Sequence, residues 1–411
     1  MVTGGLRAMA RCDALGEASF SDMEGGLYRG YLSPAYARAQ RQLAAWMEEA
    51  GMAARVDQAG NLVGRYEGKR DGPALLIGSH LDSVRDGGRY DGPLGIMLGV
   101  ECVAALHAEG RRLPFPIEVY AFGDEEGSRF PAAMLTSRAV AGTLDAASLD
   151  LHDAAGVSLK DALATLGLSK ADFVSARHGP ALAYLEAHIE QGPVLEAEAL
   201  AVGTVTGIAA QLRYAITVTG RAGHAGTTAM PLRRDALAAA AAMISKAEAI
   251  ARAGAADLVA TVGSIEALPG AANVVPGEVR FMLDVRAARD VDRDAAAGAI
   301  RAGFEAIARE RGVGYVCRPL QDLPASPCDP ALMALMDAAI AEIGLTPFRL
   351  VSGAGHDAMI LAALCPTTML FIRCEGGVSH NPDERVTGDD CEIAFRAMRG
   401  FIDRLGATIG A

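Results

Sequence analysis

The sequence is low in the residues that mark several protein classes. Its seven cysteines form no CxxC pair and no dense disulfide framework. Lysine and arginine number 38 against 50 aspartates and glutamates, which gives a formal net charge of −12. Because nucleic-acid binding needs clustered positive charge to neutralise phosphates, we expect no nucleic-acid partner.

Long apolar segments are also missing. No apolar run reaches the length of a membrane span, and the alanine-rich stretch DALAAAAAMISKAEAIARA is interrupted by charged residues at helical spacing. The first residues, MVTGGLRAMARCDALGE, lack the basic and then apolar pattern of a signal peptide. Together with an odd number of cysteines, these features predict a cytoplasmic protein with no membrane partner.

Apolar residues make up 51% of the 411 positions, enough for a sizeable core and for two domains or one domain with an insertion. Apolar strands alternate with helices, and the first helix is predicted over 33–50 with Ser33 as its N-cap. This order is typical of an α/β fold with a mostly parallel sheet, which binds ligands beyond the carboxyl ends of its strands. The predicted strands lie in ALLIGSHLDSV, FPIEVYAFGDEEG, ALAYLEAHIEQGP and TTMLFIRCEGGVSHNPDE.

The middle of the chain has a different pattern. A half-exposed strand, RYAITVTG, is followed by a helix over about 232–252, the strands LVATVGSIEAL and EVRFMLDVR, a helix over about 290–310 and the strand GYVCRPL. This β-α-β-β-α-β order predicts a ferredoxin-like domain. We therefore expect a catalytic domain over 1–209 and 325–411, and an inserted lid and dimerisation domain over 210–324.

Imidazole and carboxylate groups gather at the predicted strand ends. The stretch GSHLDSVRDGGRYDG, residues 78–92, holds His80, Asp82 and Asp91, and the other strand ends carry Glu125, Glu126, His188 and His380. Such groups on loops suit zinc and similar divalent metals. Asp91 can bridge two metals, because its flanking glycines let the backbone approach closely.

The remaining groups have candidate roles around the same site. His80 and His188 could hold one metal, and Glu126 and His380 the other. Asp82 can accept the proton of the second ring nitrogen of His80 and so fix the ligand tautomer.

Glu125 adjoins Glu126, and neighbours in an extended segment point in different directions. One carboxylate can then bind metal while the other faces the attacking water. The pattern indicates a two-metal hydrolase with Glu125 as general base.

Eight motifs follow one another along the chain: GSHLDSV, GGRYDGPLG, DEEGSRF, HIEQGPVLE, GHAGTTAMPLRRDA, NVVPGEVRFMLDVR, SGAGHDAM and SHNPDE. In this order they resemble the hydantoinase/carbamoylase branch of the dinuclear-metal amidohydrolases. The resemblance begins near residue 27, and HIEQGP is its most diagnostic piece. The family includes N-carbamoyl-L-amino-acid hydrolases and allantoate amidohydrolases, with aminoacylases and zinc carboxypeptidases as distant relatives.

The resemblance implies the same site for two divalent metal ions. Zinc is the first choice, and manganese, cobalt or nickel could take the place of zinc. It also implies that Gln191 contacts a ureido group and that His224 stabilises an oxyanion, in some relatives from the partner subunit. Asn273 and Arg286 would bind a substrate carboxylate, and Gly355 would contact substrate through its backbone. The role of His356 is left open.

Other interpretations remain at this stage. Arg286 could instead pair with Asp290 or Glu278. The implied activity is hydrolysis of a ureido C–N bond in an N-carbamoyl-L-amino acid or allantoate, releasing ammonia and carbon dioxide. The alternatives are an aminoacylase or dipeptidase on the same fold, and a non-enzymatic binding protein. We also expect a homodimer through the inserted domain, and closure about hinges near 208–211 and 319–324 when substrate binds.

Overall fold

The structure is a computed structural model that describes residues 4–410. Its helices are α1 (Gly4–Leu15), α2 (Pro34–Glu49), α3 (Pro93–Ala108), α4 (Leu135–Ala141), α5 (Leu159–Ala164), α6 (Lys170–Val174), α7 (Val194–Ala197), α8 (Ala236–Arg252), α9 (Asp290–Arg311), α10 (Pro330–Glu342), α11 (Asp357–Leu361) and α12 (Gly388–Gly410). Its strands are β1 (Ala53–Val56), β2 (Leu62–Tyr66), β3 (Leu75–His80), β4 (Ile117–Phe122), β5 (Ala183–Ile189), β6 (Val202–Ile208), β7 (Ala210–Thr219), β8 (Gly223–His224), β9 (Val259–Leu268), β10 (Val274–Val275), β11 (Glu278–Ala287), β12 (Gly314–Leu323), β13 (Ser326–Pro327), β14 (Arg349–Ser352) and β15 (Thr367–Ile372).

The chain divides into two compact units. The first runs up to Thr206 and continues with Pro327–Leu350 and from Ala354 onward. The second comprises Gly207–Ser326 and Val351–Gly353. The boundaries predicted from the sequence, 209/210 and 324/325, lie a few residues inside the observed ones.

A nine-stranded sheet forms the centre of the first unit. Its strand order is β1-β2-β4-β3-β5-β15-β6-β13, with β14 also paired to β6. The central strands β4, β3, β5 and β15 are parallel, as the sequence predicted. They are buried along their whole length because apolar residues occupy both faces.

Parallel pairing brings the carboxyl ends of these strands to one edge of the sheet. His80 is the last residue of β3, and Glu125 follows β4 after a short turn. His188 is the next-to-last residue of β5, and His380 lies in the segment after β15. The sheet therefore positions the functional groups proposed from the sequence.

The second unit has the predicted β-α-β-β-α-β order, formed by β7, α8, β9, β11, α9 and β12. Its four strands are antiparallel in the order β12-β7-β11-β9, and residues of both helices join the strands in one apolar core. Helix α8 begins at Ala236 rather than near 232. Pro231 belongs to a short 3-10 turn, and the Asp235 side chain caps the helix by accepting bonds from Leu237 and Ala238.

Across residues 4–410, every helix is too short or too polar to cross a membrane.

Candidate metal centre

Asp91 lies at the centre of the buried groups in the first unit. Its Oδ1 is 3.2 Å from Nε2 of His188 and 3.7 Å from Nε2 of His80. Its Oδ2 is 3.2 Å from Nε2 of His380. One carboxylate thus faces imidazoles from three separate segments, which is the arrangement expected of a bridging group.

Two of these imidazoles are oriented by backbone carbonyls. Nδ1 of His80 lies 3.0 Å from the carbonyl oxygen of Asp82, and Nδ1 of His188 lies 2.9 Å from that of Ile189. If each Nδ1 carries the proton, the lone pair of Nε2 faces Asp91 and is free to bind metal. Burial lowers the pKa of His188, which favours this neutral form.

A second group shares Asp91. Glu126 Oε1 is 3.3 Å from Nε2 of His380, and one ligand atom each of Asp91, Glu126 and His380 lie within 4.8 Å of one another. The same holds for His80, Asp91 and His188. His380 is half-exposed and has a left-handed backbone with φ 55°, whereas the two other histidines are buried.

Gly92 shows why this segment contains glycine. Its φ is 86°, a conformation that favours glycine, and a Cβ atom would lie 2.4 Å from the carbonyl oxygen of His80. The backbone of the Asp91 segment therefore passes directly against the end of β3. A glycine is needed for that approach.

Glu125 and Glu126 do not point apart, contrary to the expectation. Both carboxylates offer an oxygen within 4.8 Å of a His80 nitrogen and of each other. The expectation assumed an extended segment, but the chain bends here and Asp124 has φ 55°. Burial raises the pKa of Glu125.

The carboxylate of Asp82 has a different contact from the expected one. It lies 3.9 Å from Nδ1 of His80, whose near partner is the Asp82 carbonyl oxygen. The carboxylate instead accepts hydrogen bonds from the backbone N–H groups of Glu125 and Glu126, at 3.3 and 3.4 Å. Asp82 thus fixes the bend that carries both glutamates.

Gln191 is also part of the cluster. Its Nε2 donates to both oxygens of Asp91, at 3.2 and 3.0 Å, and lies 3.0 Å from Oγ of Ser379. Within residues 4–410 its buried Oε1 has no hydrogen-bond partner, so an acceptor remains for a ligand N–H. Ser379 donates to Asp91 at 3.0 Å and was missed by the sequence analysis, although it adjoins His380.

His356 and Gly355 lie at the start of α11. The buried ring of His356 packs on His188, with ring centroids 4.4 Å apart, and on Phe371. Gly355 is exposed, and a Cβ atom there would lie 2.6 Å from Cε of Met134. The structure thus places His356 behind a proposed metal ligand.

Arg286 lies in the second unit, near the end of β11. Its guanidinium binds Asp284 at 2.7 Å and the carbonyl oxygen of Gly353 at 2.5 Å. Arg213 binds the same carboxylate at 2.9 Å. Two arginines share one aspartate, so a positive charge remains for an anion. The carboxylate partner of Arg286 is thus Asp284, and not Asp290 or Glu278, which were considered from the sequence.

His224 and Asn273 lie together at the other end of β11. The short strands β8 and β10 pair His224 with Val274, directly after Asn273, and both side chains are exposed. Arg286 is eight residues along β11 from Glu278, which is about 27 Å at roughly 3.4 Å per residue. Within one chain, the structure therefore does not bring Asn273 and Arg286 to the same point.

The donor set of the first unit fits divalent metal ions. Neutral imidazole nitrogens and carboxylate oxygens are ligands that zinc and related ions accept. The two groups share Asp91 and have separate terminal ligands on each side. The chemistry and the spacing of the donors are thus compatible with a metal centre at this edge of the sheet.

Comparisons with known proteins show the family of this chain. Residues 76–404 match the model of peptidase family M20/M25/M40. A protein of Geobacillus stearothermophilus named N-carbamoyl-L-amino acid amidohydrolase is 43% identical over 397 residues, covering 96% of this chain and 97% of that protein. Allantoate deiminase 2 of Glycine max is 38% identical over 431 residues, which cover 97% of this chain and 89% of that protein.

The fold is likewise that of solved relatives. The crystal structure of a hydantoinase/carbamoylase family amidase from Burkholderia multivorans has a TM-score of 0.92 at 34% identity and covers 97% of both chains. The resemblance inferred from the sequence motifs is thereby confirmed. The chain belongs to peptidase family M20/M25/M40, where its similar proteins include hydantoinase/carbamoylase amidases.

Proposed function

We propose that this protein hydrolyses the ureido C–N bond of a small carboxylate substrate, an N-carbamoyl-L-amino acid or allantoate, releasing ammonia and carbon dioxide. The observation that carries the proposal is the pair of ligand groups that share Asp91. The relatives named for these two substrates, which align with nearly the whole chain, support it.

Two divalent ions would be held by this chain, one by His80, Asp91 and His188 and the other by Asp91, Glu126 and His380. Zinc is the first choice, and manganese, cobalt or nickel would suit the same donors. When bound, the ions supply Lewis-acid activation of the scissile carbonyl group and of water.

Glu125 is the general base in this proposal. Its buried carboxylate lies beside His80 and Glu126 but is outside both groups that share Asp91. It can therefore take a proton from water and deliver it to the departing nitrogen. The bend held by Asp82 keeps this carboxylate in place.

Substrate groups are bound by side chains outside the metal groups. The unpartnered Oε1 of Gln191 can accept an N–H of the ureido group. Arg286, held by Asp284 and Gly353, can bind the substrate carboxylate, and its planar fork suits that geometry. His224 can stabilise the developing oxyanion, and Gly355 can contact substrate through its backbone.

An ammonia-release screen tests the activity. The metal-loaded protein would be offered allantoate, several N-carbamoyl-L-amino acids and one N-acetyl amino acid. We expect turnover of at least one ureido substrate and none of the N-acetyl compound. Hydrolysis of the N-acetyl compound would release acetate and no ammonia, so acetate is measured for that substrate. Acetate without ammonia would support the aminoacylase alternative and reject the proposal.

We also propose that the protein acts as a homodimer through the second unit. His224 and Asn273 lie at one end of β11 and Arg286 at the other, so one chain cannot direct all three at one small substrate. A second copy can supply the missing groups. The outer strands of the four-stranded sheet are available for pairing and expose apolar side chains such as Val259 and Val316.

Hybrid dimers test this assembly. The Arg286→Ala and His224→Ala variants are each expected to be nearly inactive. When their subunits are mixed, half of the randomly paired dimers are hybrids, and each hybrid has one complete site of two. The mixture should therefore regain about a quarter of wild-type activity. No recovery after verified subunit exchange would show that one chain supplies both groups. Light scattering at micromolar concentration would give the oligomeric state directly.

A further inference from the structure

Glu384 is a buried carboxylate that the proposed function leaves without a role. It is 3% exposed and lies in the segment that follows β15. Its Oε1 accepts two backbone hydrogen bonds from a segment almost 300 residues earlier, from Tyr90 N at 2.9 Å and Asp91 N at 3.1 Å. Glu384 therefore holds the backbone of the residue shared by both ligand groups.

We propose that Glu384 is a positioning residue that sets Asp91 for metal binding. The inference rests on the proposed metal site but not on the identity of the substrate. Glu384 itself belongs to neither ligand group found around Asp91. It would act only through the backbone of Asp91.

The segment that contains Glu384 also provides a ligand. His380 lies four residues earlier, and its Nε2 is 3.2 Å from Oδ2 of Asp91. Between them the chain turns tightly: Asn381 accepts the N–H of Asp383 on its side chain and that of Glu384 on its carbonyl oxygen. His380 meets the side chain of Asp91 while Glu384 meets its backbone, which closes a ring of contacts around one residue.

Gly88 shows how closely this carboxylate fits. A Cβ atom at Gly88 would lie 2.1 Å from Cδ of Glu384 and 2.2 and 2.4 Å from its two oxygens. The segment that leads to Asp91 thus folds directly over the carboxylate of Glu384. Any residue larger than glycine at position 88 would leave no room for that carboxylate. The other oxygen, Oε2, is buried and has no hydrogen-bond partner among residues 4–410. Burying a polar oxygen without a partner is costly, which argues that the contact of Glu384 with Asp91 serves the site.

The test is the affinity for Zn²⁺, measured by competition with a chromophoric chelator on the full-length protein. Loss of a group that orients a metal ligand typically weakens binding by roughly 10–100-fold, which is the loss we expect for Glu384→Ala. Glu384→Gln keeps an acceptor oxygen for both N–H groups and should bind Zn²⁺ nearly as the wild type does.

Asp57→Ala is the matched control. Asp57 is also a buried carboxylate whose Oδ1 accepts two backbone hydrogen bonds, from Ala59 and Asn61, in the turn between β1 and β2. Its loss should lower stability and leave Zn²⁺ affinity unchanged. If Glu384→Ala also lost stability but kept wild-type affinity, its role would be structural and the inference would be wrong.

Three further outcomes are decisive. If Glu384→Gln lost as much affinity as Glu384→Ala, the hydrogen bonds would not be the cause and the inference would also be rejected. Should Glu384→Ala fail to fold, Gly88→Ala displaces the carboxylate without removing it and must show the same loss of affinity. Failure of the wild-type protein to bind Zn²⁺ or any of the other three metals would instead reject the proposed function.

Discussion

Replacing Gly88 by alanine gives a sharp test of the packing around Glu384. Ordinary contact begins near 3.4 Å, and the new methyl carbon would lie 2.1 Å from Cδ of Glu384. The carboxylate must therefore retreat by about 1.3 Å. Its hydrogen bonds to Tyr90 and Asp91, now 2.9 and 3.1 Å long, would then exceed hydrogen-bonding distance.

The expected cost follows from those two bonds. Leaving a buried donor without a partner costs about 1–3 kcal/mol, so unpairing both N–H groups, with partial relaxation of the segment, should lower the free energy of unfolding by on the order of 3 kcal/mol. Urea unfolding of the metal-free protein can be followed through the fluorescence of Trp46. This is the single tryptophan of the chain, and it packs against the core of the first unit.

Two comparisons make the prediction specific. Gly179→Ala adds the same methyl group on an exposed loop with nothing within 4 Å, and should change stability by less than about 0.5 kcal/mol. In a Glu384→Ala background the methyl group at Gly88 has room, so its cost should almost vanish. An equal cost of Gly88→Ala in both backgrounds would refute the proposed clash.

Further predictions concern catalysis and pH. Glu125→Gln should keep Zn²⁺ binding but lose about 10²–10⁴-fold in kcat, as expected when a general base is removed, and near-normal turnover would contradict that role. Removal of metal by a chelator should abolish ammonia release, and added Zn²⁺ or Mn²⁺ should restore it. Arg286→Lys should lower kcat/KM by roughly ten-fold, because the forked contact is lost, and wild-type kinetics would place the carboxylate elsewhere. The hydrogen bond that His178 donates to Glu118 raises the pKa of His178 above 6.5. Burial raises the pKa of Glu118, but the hydrogen bonds that it accepts from His178 and Arg65 outweigh burial and lower that pKa to about 2. The stability that this pair contributes should thus be greatest between about pH 4.5 and 6.5. It should fall at higher pH as His178 loses its proton, and at lower pH as Glu118 gains one. A His178→Ala variant whose free energy of unfolding differs from that of the wild type by the same amount at pH 5.5 and pH 9 would contradict this.

The sequence by itself determined the elements and the residue types of the site. Apolar runs flanked by helices predicted the parallel strands, and their polar ends predicted His80, Glu125, His188 and His380 at one edge. That inference works because parallel strands bring their carboxyl ends together whatever the loops do. Hydrophobic periodicity predicted the second unit equally well, since local alternation reports burial on one face.

Only the tertiary structure decided how the loops arrange these groups. The bend at Asp124 brings both glutamates to the same cluster, because a left-handed residue replaces the extended chain assumed from the sequence. The carboxylate of Asp82 binds the backbone N–H groups of Glu125 and Glu126 rather than the ring of His80 for the same reason. Ser379 and Glu384 were not assigned roles, since their contacts with Asp91 span nearly 300 residues and leave no local pattern. The separation of Asn273 from Arg286 depends on the length of β11, which the motifs around each residue do not reveal.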